Sequence, residues 1–212
     1  MRPIFLSYFL EEDTPIYGGK KNSIKFEQTS SIVNGDTANN LYLSFPNHTG
    51  THIDFPYHFN IFGKKCNEYS ANFWIFNKIG FIECTVNEIM VKIQHLPSDI
   101  EFLILKTGFG AKRGTEEYWQ NQPVISANNA KLFKKLFPNL RLFGFDLISM
   151  TSKLNKIEGK KAHESFLIEN DILLLEDMNL QFCNSDFKPS CIIVAPLQIG
   201  ISDGVPCNVI AF

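Results

Sequence analysis

The sequence predicts a mixed α/β fold, with a mixed sheet and flanking helices. Two observations carry that reading. Short apolar runs rich in Ile, Leu and Phe recur along the chain, bounded by turn residues, as strands are. One helical pattern, residues 127–137, lies between two such runs. Strand, helix, strand in that order implies a right-handed crossover in a partly parallel sheet.

In chain order, residues 4–10 read as a buried strand. They are too short for a signal-peptide core and run directly into Glu11, Glu12 and Asp13 with no small-residue cleavage site. Residues 13–19 are a turn-rich loop. Residues 23–31 alternate loosely, as a strand does, Asn34-Gly35-Asp36 is a turn, and residues 41–45 form another strand. Residues 60–78, irregular and aromatic-rich around Trp74, suit a loop or short helix covering a site. Residues 79–86 and 101–106 are strands, the second apolar on both faces and therefore central. Ser126 is placed to cap the helix over 127–137. Ala130, Phe133, Leu136 and Phe137 form its apolar stripe, three lysines its wet face, and Pro138 lies past its end. Strands at 140–147 and 172–175 follow.

With 212 residues, one domain spanning 1–212 is the expectation, and the chain is long enough to bury a core. A net charge of −2 with the signs interspersed gives no footprint for nucleic acid or an anionic membrane. Five cysteines, odd in number and without a C-x-x-C pair, predict reduced thiols in a cytoplasmic protein. No run approaches the roughly twenty apolar residues that span a bilayer.

One stretch stands apart: His48-Thr49-Gly50-Thr51-His52-Ile53-Asp54-Phe55-Pro56-Tyr57-His58. It holds three of the five histidines. His52 and Asp54, two apart, share a face of an extended strand. On a flat strand His48 would stand roughly 13 Å from His52, too far to share a metal whose donors lie about 2 Å from it. Thr, Gly, Thr, Ile and Pro make a poor helix. A tight bend at Gly50 remains, bringing His48 round to His52 and Asp54. His58, beyond Pro56, would then stand beside the metal without binding it. The bland alternative is a loop whose polar side chains cap backbone groups.

The pattern His48, Gly50, Thr51, His52, Asp54, Pro56, His58 resembles the signature of the cyclase family of metal-dependent hydrolases, which includes the bacterial kynurenine formamidases. The resemblance extends to Tyr17 as a pocket wall, to Thr107-Gly108, to Gly144, Asp146 and Ser149, and to the Ser202-Asp203-Gly204-Val205-Pro206 run. It implies a fold of the swivelling β/β/α type and a homodimer or homotetramer. His48, His52 and Asp54 would hold one divalent ion, zinc or manganese. Asp54, His163 and Glu176 would hold a second, with His163 placed at the start of a helix. His58 would be the catalytic base in hydrolysis of an amide-like C–N bond, in a formamide such as N-formylkynurenine or in a cyclic amide. Asn208 stands where the family usually carries a basic residue, a lost anion-binding group if the substrate has a carboxylate.

Three rival readings follow from the same residues. A non-haem iron oxygenase could use His52, Asp54 and His163 as a facial triad, but no arginine follows Arg141 to grip an oxo-acid. A cupin would need His-x-His, which is absent. A catalytically inactive member that binds metal or ligand is the third. The retained ligand types and His58 favour the enzyme.

Overall fold

The computed structural model describes residues 2–212. Its strands are β1 (Ile4–Phe5), β2 (Lys25–Ser30), β3 (Asn40–Ser44), β4 (His52–Asp54), β5 (Ile75–Phe76), β6 (Ile79–Glu83), β7 (Phe102–Lys106), β8 (Leu142–Phe145), β9 (Leu173–Glu176), β10 (Ile192–Pro196) and β11 (Gly204–Ala211). Helices α1 (Ile89–Lys92), α2 (Glu116–Gln120), α3 (Asn128–Leu136) and α4 (Lys156–Glu164) lie between them. Among the described residues, one sheet runs β5-β10-β11-β4-β9-β8-β7-β6, with β1 also on β11, and β2 pairs with β3 apart from it. The path begins at β5 and ends at β6, strands two residues apart in the chain, so the sheet nearly closes on itself.

The expected partly parallel sheet is present: β6, β7, β8 and β9 are mutually parallel, and α3 lies on the connection from β7 to β8. The remaining pairs are antiparallel, which makes the sheet mixed. Strands β7, β8 and β9 are apolar on both faces because both faces are covered, as parallel strands require. Phe102, Ile104, Leu142, Phe143 and Leu174 have no exposed surface. Phe133 of α3 packs edge-on to Phe143, 5.2 Å between ring centroids. Burying such a side chain contributes about 1.5–3 kcal/mol.

Some expectations change. The first strand is two residues long rather than seven. Leu6 N–H still bonds Val209 O at 2.8 Å, but Tyr8 N–H turns away to the Thr51 hydroxyl at 3.1 Å, which draws the chain off the sheet edge. Helix α3 begins one residue later than expected, with Ala127 rather than Ser126 at its N-cap and no side-chain cap bond; the Ser126 hydroxyl accepts only from Asn128 N–H, at 3.3 Å. None of residues 60–78 lines the cavity described below. They form short 3₁₀ turns and β5, and Trp74 is buried edge-on against Phe55. His163 stands at the end of a helix, not its start. The helix before it was hidden because Lys156–Glu164 has no apolar stripe, with Ile157 exposed, and is started by the Asn155 side chain accepting from Glu158 N–H. A π-helical turn, Ser165–Glu169, then leads towards β9. Among the described residues, no helix is long and apolar enough to cross a membrane.

Candidate metal centre

Strand β4 is three residues long, and all three are buried. Extended geometry points His52 and Asp54 to one face. Gly50, at φ +62°, makes the bend before the strand, in the left-handed region that favours glycine. The turn returns His48 over the strand, and its Nδ1 lies 2.7 Å from Asp54 Oδ1. Pro56 opens a 3₁₀ turn that ends at His58. The His58 ring lies 4.2 Å from the His48 ring, centroid to centroid.

The other half arrives through the sheet. β4 pairs antiparallel with β9 in a register that sets His52 opposite Glu176. His52 Nε2 is 3.4 Å from Glu176 Oε2 and 3.4 Å from Asp54 Oδ1. From the end of α4, His163 Nε2 reaches to 3.4 Å from Asp54 Oδ2 and 3.6 Å from Glu176 Oε1. Phe59 stacks on the His163 ring at 4.5 Å. Three groups of side chains come close enough to hold a metal: two ligand sets, His48/His52/Asp54 and Asp54/His163/Glu176, which share Asp54, and the more exposed His48/His58/Asp203 at the mouth.

The hydrogen bonds fix the tautomers. A carbonyl can only accept, so Nδ1–H of His52 donates to Gly50 O (2.8 Å), and Nδ1–H of His163 donates to Gly159 O (2.9 Å). Both rings therefore turn an Nε2 lone pair towards two carboxylates. All four residues are buried. Acceptors facing acceptors without water repel each other unless a cation lies among them. Without one the imidazoles themselves hold the charge. Burial pushes His48 down, but Asp54 and Asp203 outweigh it and raise it to about 9. Burial likewise opposes Asp54 and Glu176 at His163, which is raised to about 10. Against burial, His48 holds the Asp54 carboxyl well below the usual range. Nitrogen and carboxylate ligands in this mixture suit a divalent transition ion.

A family comparison decides the lineage. The cyclase family model, described as "Putative cyclase", matches residues 4–151, more than half of the chain. The chain belongs to the cyclase family. It is similar to the kynurenine formamidase of Bacillus mycoides, 27% identical over 212 residues that cover 98% of this chain and 95% of that protein. It also resembles a solved isatin hydrolase bound to the product analogue thioisatinate, with TM-score 0.80, 17% identity, and 99% and 91% of the two chains covered. A third likeness is to a solved protein described as a predicted metal-dependent hydrolase from Bacillus stearothermophilus, with TM-score 0.75, 18% identity, and 99% and 97% covered. The family match ends before His163 and Glu176, so it is the fold that brings these two to the cyclase-family motif.

Two residues that sequence reasoning left without a role join the site. Asp203, just before β11, accepts from both histidines: its Oδ2 lies 2.7 Å from His58 Nδ1 and 3.1 Å from His48 Nε2. These bonds, His48 first, hold its carboxyl well below the usual range against partial burial. Asn47 Nδ2 donates to its other oxygen at 2.6 Å. The signal was the Asp203-Gly204 run, whose resemblance carried no role by itself. Gly204 lies flat beneath the His48 ring, where a Cβ would come within 2.3 Å of Cε1.

The two ligand sets and His58 line a cavity of about 260 Å³, completed by Pro15, Tyr17, Phe59, Ile148, Ser149 and Thr151. Tyr17 is thus a wall. Asp146 is not: its carboxylate ties the end of β7, accepting from Thr107 N–H (2.8 Å), the Thr107 hydroxyl (2.6 Å) and Gly108 N–H (2.9 Å). Asn208 lines a different groove, beside Phe9, Leu43 and Leu197.

Proposed function

We propose that the chain is a metal-dependent hydrolase of an amide-like C–N bond, taking a formamide such as N-formylkynurenine or a small cyclic amide. The observation that carries this is the buried convergence of two bare imidazole nitrogens on two carboxylates, at the floor of an open cavity beside a third, more exposed histidine. His48, His52 and Asp54 would hold one ion, and Asp54, His163 and Glu176 a second, with zinc favoured and manganese compatible. Such an ion lowers the pKa of water towards about 7 and polarises an acyl oxygen.

The chain's own residues supply the rest. Asp203 accepts from His58 Nδ1–H, which leaves Nε2 with the lone pair. His58 can therefore take a proton from water at Nε2 and return it to the leaving nitrogen as the C–N bond breaks. Its exposure at the mouth lets it reach substrate, while the buried ligands stay fixed. Tyr17, Phe59 and Ile148 supply the apolar walls that an aryl or cyclic amide would need. A cytoplasmic homodimer or homotetramer completes the reading, in line with the reduced thiols and the family resemblance.

The test is hydrolysis of N-formylkynurenine and of isatin by chelator-stripped protein, before and after zinc or manganese is added back. Metal-dependent turnover of either substrate, lost in His58→Ala with the metal retained, supports the proposal. Metal-loaded protein inert towards both, and towards simple formanilides, contradicts it and favours the inactive-member reading.

A further inference from the structure

Directly after Glu176 the chain does something uncommon. Asp177 adopts φ +52°, a left-handed conformation that side-chain-bearing residues seldom take. Extended geometry up to this point sends Glu176 into the cavity and Asp177 to the opposite side. There its carboxylate, 1% exposed, is gripped by a two-pronged Arg113, with Nε at 3.0 and 3.1 Å and the Nη2 nitrogen at 2.9 Å. The buried Tyr118 hydroxyl donates to it as well, at 2.6 Å. Arg113 in turn lies 3.8 Å over the Tyr8 ring.

The backbone of the same residue is equally occupied. Asp177 N–H donates to Leu147 O at 2.8 Å, and Asp177 O accepts from the Thr51 hydroxyl at 2.6 Å. Thr51 immediately precedes His52. One residue therefore joins the end of β9, which carries Glu176, to the start of β4, which carries His52 and Asp54. None of these groups lines the cavity. A buried ion pair with this many bonds, placed behind a ligand, fixes that ligand's direction.

Resting on the metal-centre reading above, we propose that Asp177, clamped by Arg113 and Tyr118, is a positioning residue for Glu176 and so sets the affinity of the Asp54/His163/Glu176 position for its ion. Because Glu176 belongs to one ligand set only, loss of the clamp acts selectively. The position built on His48 and His52 keeps its ion, since the Asp177 carbonyl still accepts from Thr51 whatever side chain stands at 177.

The experiment is calorimetric titration of zinc, and separately manganese, into chelator-stripped wild type, Asp177→Gly and Asp177→Asn. His163→Ala and His48→Ala mark which binding event belongs to which position. Glycine suits the left-handed backbone and removes the carboxylate. Asparagine tolerates that backbone and keeps a partner for Tyr118 but loses the charge that Arg113 needs. The expected result is that the event abolished in His163→Ala weakens about ten- to a hundred-fold in Asp177→Gly, and less in Asp177→Asn, while the other event moves by under threefold. Should the glycine variant fail to fold, the asparagine variant alone carries the comparison. Equal weakening of both events, no weakening, or a wild type with a single event overturns the proposal. A wild type that binds neither ion overturns the metal-centre reading instead, so the two failures are distinguishable.

Discussion

Replacing Gly204 by alanine should move His48 while leaving every ligand residue itself unsubstituted. The glycine sits under the imidazole, where an added Cβ would lie 2.3 Å from Cε1, 2.7 Å from Nδ1 and 2.9 Å from Nε2. Ordinary contact begins near 3.4 Å, so the ring must give by about 1 Å. The backbone cannot yield in its place, because Gly204 is paired in register with Asp54 in the middle of the sheet. Its φ is not in the left-handed region, so alanine adds no backbone strain. The displacement breaks the 2.7 Å approach of His48 to Asp54 and the 3.1 Å approach to Asp203 together. A misplacement of about 1 Å in a catalytic centre costs on the order of 100-fold in rate, or ~2.7 kcal/mol. The assay is kcat/KM for N-formylkynurenine beside metal content and Tm. We expect the rate to fall by about that factor, the His48-containing position to lose metal, and Tm to stay within a few degrees of wild type. A Gly204→Ala enzyme with wild-type rate and full metal content would refute the placement of His48 in the centre.

Other outcomes follow from the same geometry. Asp203→Asn removes the acceptor shared by His58 Nδ1 and His48 Nε2. Turnover at saturating metal should fall roughly ten- to a hundred-fold, and an unchanged rate would remove Asp203 from the mechanism. In the metal-free protein, His48 is raised to about 9 and His163 to about 10 from an unfolded value of 6.5. Raised groups contribute stability that is complete below the unfolded value and is lost as pH climbs through the folded ones. Tm of chelator-stripped protein should therefore decline between about pH 6.5 and 10, while metal loading strengthens with pH because each bound ion displaces protons. A flat Tm over that window would contradict the charged state of the empty centre.

The motif at 48–58 was legible because its logic is local. A bend glycine, a two-residue alternation and a proline stop are decided within a few bonds, and φ +62° at Gly50 is what the spacing demanded. The central strands were legible because both their faces are buried, so their apolar runs are unbroken. His163 and Glu176 had no local signature, and only family resemblance singled them out. Their meeting with Asp54 depends on the β4–β9 register and on the crossover that places α4, which no short window contains. The role of Asp203 and its partnership with Asn47 were hidden for the same reason, the two being 156 residues apart in the chain and bonded at 2.6 Å. Helix α4 was missed because its lysines and Gly159 show no stripe, its buried face being only Gly159, Ala162 and His163. Asn208, on the same eight-residue strand as Gly204, lines a separate groove beside Phe9, Leu43 and Leu197 and is not among the residues that line the cavity.

The most direct test of the metal centre is elemental analysis of purified protein beside His52→Ala. His52 touches both halves, lying 3.4 Å from Asp54 and 3.4 Å from Glu176. About one to two equivalents of zinc or manganese in the wild type, lost in the variant while the fold is kept, is the predicted result. A folded wild type that neither carries a divalent ion nor takes one up on addition would contradict the account.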